Sequence, residues 1–196
     1  MKRKKKNGWL WLVLLLLLLA AVGAVIWLVK GRGSGAGKEG EEARAICERF
    51  LTAYQEGNGE EVTELLAGAG YGSTPVNLEG YPALVGSRIR CTAEAARRQE
   101  DGSLVIPVEI TALDLPALAE EAEFQRRVTE GDLLEVLDEY LEEGKAPETV
   151  YEVSIQMIQE NGEWKVLMDN TLSNALLGGY GIFYIQMAEE MAGEQK

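Results

Sequence analysis

The spacing of apolar positions divides the chain into segments before any residue chemistry is considered. Trp9 to Val29 form an unbroken run of 21 residues without a charge. Further along, Ala43, Ile46, Cys47, Phe50 and Tyr54 recur every three or four residues, with Glu42, Arg44, Glu48, Arg49 and Glu56 mainly on other faces. That spacing predicts an amphipathic helix, stopped by Gly57-Asn58-Gly59. A shorter helix is expected around Glu60 to Leu66, ending in the glycines at 68, 70 and 72, and the stretch through Pro75 and Pro82 reads as loop. The period then falls to two. Ile89, Cys91, Ala93 and Ala95 alternate with Arg88, Arg90, Thr92 and Glu94. After Asp101-Gly102, the residues Leu104, Ile106, Val108, Ile110 and Ala112 alternate with Val105, Pro107, Glu109 and Thr111. Together these predict a β-hairpin with one buried face. Pro107 has no N–H to give to a ladder, so it marks an edge or a bulge.

Helical spacing returns from about Pro116. Asp132 and Glu135 suit an N-cap and its third position, Leu133, Leu134, Leu137, Tyr140 and Leu141 form an apolar stripe, and Gly144 can end it. A second hairpin follows, with Tyr151, Val153, Ile155 and Met157 leading to Asn161-Gly162, then Trp164, Val166 and Met168. The chain closes with helical segments around Thr171 to Leu177 and Tyr180 to Met191. The order αα–ββ–αα–ββ–α predicts an α+β domain, an antiparallel sheet of two hairpins with helices over one face.

The first apolar run changes where this domain is expected to lie. As a helix it would span about 31 Å, close to the hydrocarbon thickness of a bilayer. Trp9, Trp11 and Trp27 stand near its ends, where indoles favour the interface. Lys2-Arg3-Lys4-Lys5-Lys6 precede it, against Lys30, Arg32 and Lys38 after it, which favours a cytoplasmic N-terminus. Val22-Gly23-Ala24 has the small-residue character of a signal-peptide cleavage site, but the apolar stretch continues through Val25-Ile26-Trp27-Leu28-Val29. That exceeds a signal core, so an uncleaved anchor is expected. The domain plan is a basic cytoplasmic tail at 1–8, a transmembrane helix at 9–29, a Gly-rich linker at 30–41 and an extracytoplasmic α+β domain at 42–192. In the linker, Gly37-Lys38 does not complete a phosphate-binding loop, because the required first glycine is Arg32.

Charge and composition remove whole classes of function. All 32 acidic residues follow Lys38, and from Glu39 onward 11 basic residues leave a net charge of -21. Such a field repels nucleic acid. There is no histidine, which removes the usual general base and the commonest metal ligand.

Several stretches together resemble exported NTF2-like proteins of Gram-positive bacteria, membrane-anchored or lipoprotein domains mostly of unknown function. They are Phe50-x-x-Ala53-Tyr54-x-x-Gly57-Asn58, the strand Val105 to Leu113 ending in Asp114-Leu115, Asn161-Gly162-x-Trp164-Lys165-Val166, and Asn174-Ala175-Leu176-Leu177-Gly178-Gly179. The resemblance covers roughly residues 42–179. It implies an NTF2-like (cystatin-like) fold, a long helix across a curved sheet enclosing a conical cavity that some relatives use for ligands or catalysis. It transfers no catalytic set, and no catalytic, cofactor-binding or metal-binding residue is assigned.

Cys47 and Cys91 lie on apolar sides of a helix and a strand, so two readings stand: a pair of buried free thiols, or a disulfide if the helix crosses the sheet there. The acidic residues between Glu120 and Glu143 lack the spacing of a calcium loop and read as solvated helix faces. For a pocket, the candidates are Tyr54, Tyr81, Tyr151, Trp164 and Asp169; Asp169 ends the last strand, where a cone mouth would lie, and its other reading, the favoured one, is a helix cap or turn before Thr171. The expected function is a membrane-tethered, non-catalytic binding or envelope-assembly module without a cofactor, its partner a protein or a small molecule at the envelope. The alternatives are a cone-shaped small-molecule pocket and a histidine-free acid/base isomerase or hydrolase.

Overall fold

The computed structural model describes residues 36–68, 74–183, 185 and 186. The expected basic tail, the membrane span at 9–29, the linker up to residue 35, the glycines at 70 and 72 and the end of the closing helix lie outside the described residues. Among the described residues no helix is long and apolar enough to cross a membrane.

Helix α1 (Gly37–Gln55) begins five residues before the expected domain boundary at 42, so residues 37–41 are helix rather than linker. Its first turns carry the i,i+4 pairs Lys38–Glu42 and Arg44–Glu48. Of the predicted stripe, Ala43, Cys47, Phe50 and Tyr54 are buried and Ile46 is partly buried, while Leu51, outside that stripe, is buried as well. Gly57, at φ 70°, lets the chain leave the helix. Asn58 then caps α2 (Gly59–Leu65), its side-chain oxygen accepting from the Glu61 N–H at 3.2 Å.

The next stretch, expected to be loop, contains the short helix α3 (Tyr81–Gly86). Pro82 stands in its first turn, where a missing N–H costs nothing because that donor has no helical partner. Reading Pro82 only as a breaker was the error.

Five strands follow: β1 (Arg90–Ala93), β2 (Arg97–Arg98), β3 (Leu104–Leu113), β4 (Glu148–Glu160) and β5 (Glu163–Leu167). They form one curved antiparallel sheet in the order β1-β3-β4-β5, with β2 also on β3. The hairpin at Asn161-Gly162 is present, with φ of 53° and 85° at the two turn residues, the geometry a tight two-residue hairpin demands. The first hairpin turns around Asp101-Gly102, but its first strand is interrupted. Ala93 pairs with Val108 and Arg97 with Val105, so three residues, 94–96, face two on β3. This bulge reverses the inward phase. Ala96 is buried and Ala95 exposed, whereas simple alternation had put Ala95 inside.

The bulge also accommodates Pro107. The Glu94 N–H donates to the Pro107 carbonyl at 2.8 Å. A strand residue directs its nitrogen and its carbonyl to the same side, so the missing N–H of Pro107 faces the bulge and the β3–β4 ladder loses no donor.

Between β3 and β4 run α4 (Leu115–Ala119), α5 (Ala122–Glu130) and α6 (Leu133–Glu142). Asp132 caps α6 by accepting from the N–H groups of Leu134 and Glu135, and Gly144 follows its end at φ 66°. The buried stripe of α6 is Val136, Leu137 and Tyr140, while Leu134 is exposed. After β5 comes α7 (Asn170–Leu176), and residues 180–183 are again helical.

Two apolar cores result. The first lies between α1 and the inward residues of the sheet, among them Phe50, Ile106, Ile155, Met157, Trp164 and Val166. The second joins α4–α6 to Phe183, with Phe124 edge-on to Tyr140 at 5.0 Å between centroids. The opposite sheet face is open, and Val150 on it is 57% exposed.

Candidate functional site

Three of the five expected pocket residues converge. Tyr54 comes from α1, Tyr81 from the start of α3 and Tyr151 from β4. The Tyr81 ring lies 4.5 Å from that of Tyr180, and its hydroxyl donates to the Leu177 carbonyl at 3.0 Å. Gly86 passes so close to the Tyr54 ring that a β-carbon there would sit 3.0 Å from it. Gly179, at φ 79°, allows the same approach to the Tyr151 hydroxyl. Small residues thus let α3 and the end of α7 close on the tyrosines.

These hydroxyls are poor acids. Burial pushes Tyr54 up to about 12. Burial raises Tyr81 further, aided by Tyr180, Tyr54 and Tyr151. Burial and then the Asp114 carboxylate raise Tyr151. All three remain neutral phenols near pH 7, able to form hydrogen bonds but not to act as phenolate bases.

Beside Tyr54 is an apolar pocket of about 180 Å³, lined by Val76, Leu78, Pro82, Met168 and Leu176 among others. No charged side chain lines it. Ligand pockets usually occupy about 300–1,000 Å³, so this one is small.

The other two expected pocket residues lie elsewhere. Trp164 is a core residue of the inward sheet face, 7% exposed. Asp169 is exposed and caps α7, its carboxylate accepting from the Leu172 N–H at 2.7 Å. The last strand stops at Leu167, short of the expected end at Asp169, and the carboxylate takes the capping role that was its other reading.

Cys47 and Cys91 are free thiols. Burial pushes Cys47 up to about 12, with further upward contributions from Glu48 and Cys91, against a smaller downward one from Arg44. Burial also pushes Cys91 to about 11. The two influence each other across the α1–β1 packing, yet neither is a nucleophilic thiolate near pH 7.

The carboxylates between Glu120 and Glu143 are exposed, and several bind basic neighbours, as in Glu123–Arg126–Glu130 and Glu139–Arg127. Among the described residues no group of three or more acidic or thiol side chains is placed to hold a metal ion.

Sequence reasoning missed Tyr180, whose position after two glycines carries no site signal. It also missed Arg88, read only as the polar half of an alternating strand. No family model matches the chain, and neither does any curated protein or solved structure.

Proposed function

We propose that this chain is a membrane-tethered, extracytoplasmic binding module without catalytic chemistry, built on an NTF2-like domain and anchored through residues 9–29 with its N-terminus in the cytoplasm. The α+β architecture, with a long helix packed across a curved antiparallel sheet, supports the fold part of this reading. The basic cluster and the uncharged 21-residue run support the topology.

The observation that carries the non-catalytic part is the capping role of the two candidate carboxylates. A histidine-free acid/base site here needs a carboxylate facing the tyrosines. Asp114, whose charge acts on Tyr151, caps α4 by accepting from the Ala117 N–H, Asp169 caps α7, and the tyrosine hydroxyls are held neutral by burial. The large buried side chains between α1 and the sheet, Phe50, Ile106, Ile155 and Met157 among them, support binding at a surface cleft rather than in a deep cone.

The test is turnover. The purified full chain should leave chromogenic esters, glycosides and phosphoesters, and an enolisable ketone, unchanged over hours by proton NMR. Turnover abolished by Tyr151→Phe or Asp169→Asn would overturn the reading. Topology has its own test: external protease on intact cells should remove the domain and leave a short membrane stub, and a mature N-terminus near Val25 would refute the anchor.

A further inference from the structure

The charge pairing of the domain has one exception. Its described basic side chains are Lys38, Arg44, Arg49, Arg88, Arg90, Arg97, Arg98, Arg126, Arg127, Lys145 and Lys165. All but Arg88 lie in an ion pair with a glutamate among the described residues. In a segment this rich in carboxylates, a cation left without one is the outlier, and Arg88 lines a cleft.

The cleft has a volume of about 560 Å³, well within the range of small-ligand sites. Its lining combines the charged side chains of Arg88, Arg90 and Glu148 with the apolar ones of Leu113, Leu141 and Ala146. Arg90 reaches from β1 across β3 to Glu148 on β4 and binds both carboxylate oxygens, at 3.1 and 2.6 Å. That fork holds two of the lining side chains together and neutralises itself. The backbone beneath Arg88 is also fixed: its N–H donates to Val85 O at 3.1 Å, and the Gln55 amide donates to the next carbonyl, Ile89 O, at 2.6 Å. The backbone that carries Arg88 is thus anchored, and its guanidinium makes no ion pair or side-chain hydrogen bond among the described residues.

We infer that this cleft binds a monoanionic carboxylate carrying a compact apolar body, with Arg88 taking the carboxylate and Leu113, Leu141 and Ala146 receiving the apolar part. The formal charge of the cleft, two arginines against Glu148, is +1, which matches one carboxylate. A doubly charged phosphate would meet the Glu148 carboxylate with its second charge uncompensated. A guanidinium fork also fits the planar carboxylate in two parallel hydrogen bonds. The inference rests on the binding-module reading and names its ligand class. Two sources share this chemistry, a free short-chain acid and the C-terminus of a peptide ending in an aliphatic residue.

The experiment is titration calorimetry on the full chain in lipid nanodiscs, with empty nanodiscs as the blank. The probes are hexanoate and N-acetyl-glycyl-leucine, each against its neutral primary amide. The expected result is saturable binding of at least one acid, no binding of either amide, and a loss of about tenfold or more in Arg88→Ala, partly restored in Arg88→Lys. The tighter acid identifies the source. Arg88 is exposed, so the alanine variant keeps the fold, which circular dichroism checks. Equal affinity in Arg88→Ala, binding of the amides, or absence of saturable binding by both acids would overturn the inference. None of these outcomes bears on the non-catalytic reading, which is judged by turnover at the tyrosines.

Discussion

Alkaline pH should unfold this domain unusually early, and one thiol should account for a measurable part of the effect. Cys47 is fully buried on α1, and its pKa rises from an ordinary value of 9.0 to about 12. Cys91 reaches about 11 and Tyr54 about 12. Between pH 9 and 11 the unfolded chain releases the Cys47 proton while the folded chain holds it, and Cys91 and Tyr54 act in the same direction over part of that range. The unfolded state then binds fewer protons, so stability falls as pH rises. Each group fully inside that window contributes a slope of about 1.4 kcal/mol per pH unit. For Cys47 alone the loss from pH 9 to 11 is of order 2 kcal/mol, large beside a typical total of about 5–15 kcal/mol. The perturbation is Cys47→Ala, which costs some packing at neutral pH but removes one proton from the linkage. Urea unfolding of the full chain, followed by far-ultraviolet circular dichroism with a reductant present, gives stability at pH 8, 9, 10 and 11. The variant should show the flatter curve, its slope smaller by about 1.4 kcal/mol per pH unit. Parallel curves, or a native chain that grows more stable across this range, would refute the argument that burial holds the thiol protonated.

Two further substitutions separate core from cap. Trp164→Ala should cost about 3–5 kcal/mol in urea unfolding, with Trp164→Phe recovering much of it, because the indole fills the inward face of β5. Asp169→Ala should cost only about 1 kcal/mol, the worth of an N-cap, and Asp169→Ser should restore most of that; a much larger loss would mean the carboxylate does more than cap α7.

The parts of the fold legible in the sequence are those set by local chemistry. Asn161-Gly162 demands its turn, Asp132 its cap, and the 3.6-residue stripe of α1 its buried face. The parts that were not legible depend on neighbours. The bulge at 94–96 inverts an alternation that looks regular until β3 supplies its register. Pro82 reads as a breaker until the turn around it is seen to be a helix start. The same division holds at the site. Tyr54, Tyr81 and Tyr151 were named one by one as aromatics on amphipathic elements, but their convergence depends on close packing at Gly86 and Gly179. Arg88 is distinguished by the lack of a carboxylate partner among the described residues, a property of three-dimensional surroundings that no spacing along the chain encodes.

The coupling of Pro107 to the bulge bears on how the strands find their alignment. Strands that simply alternate apolar and polar residues can slide by two positions and still turn every side chain to the proper face, so hydrophobic burial alone distinguishes such misalignments poorly. Here a two-residue slip of the first hairpin would set an ordinary, hydrogen-bond-seeking carbonyl against a nitrogen with no hydrogen, and would leave the extra residue of the bulge opposite a strand able to pair with it. One imino acid in an interior strand thus serves as an index mark. It adds little to the energy of the finished sheet, and its effect is to make the neighbouring alignments worse.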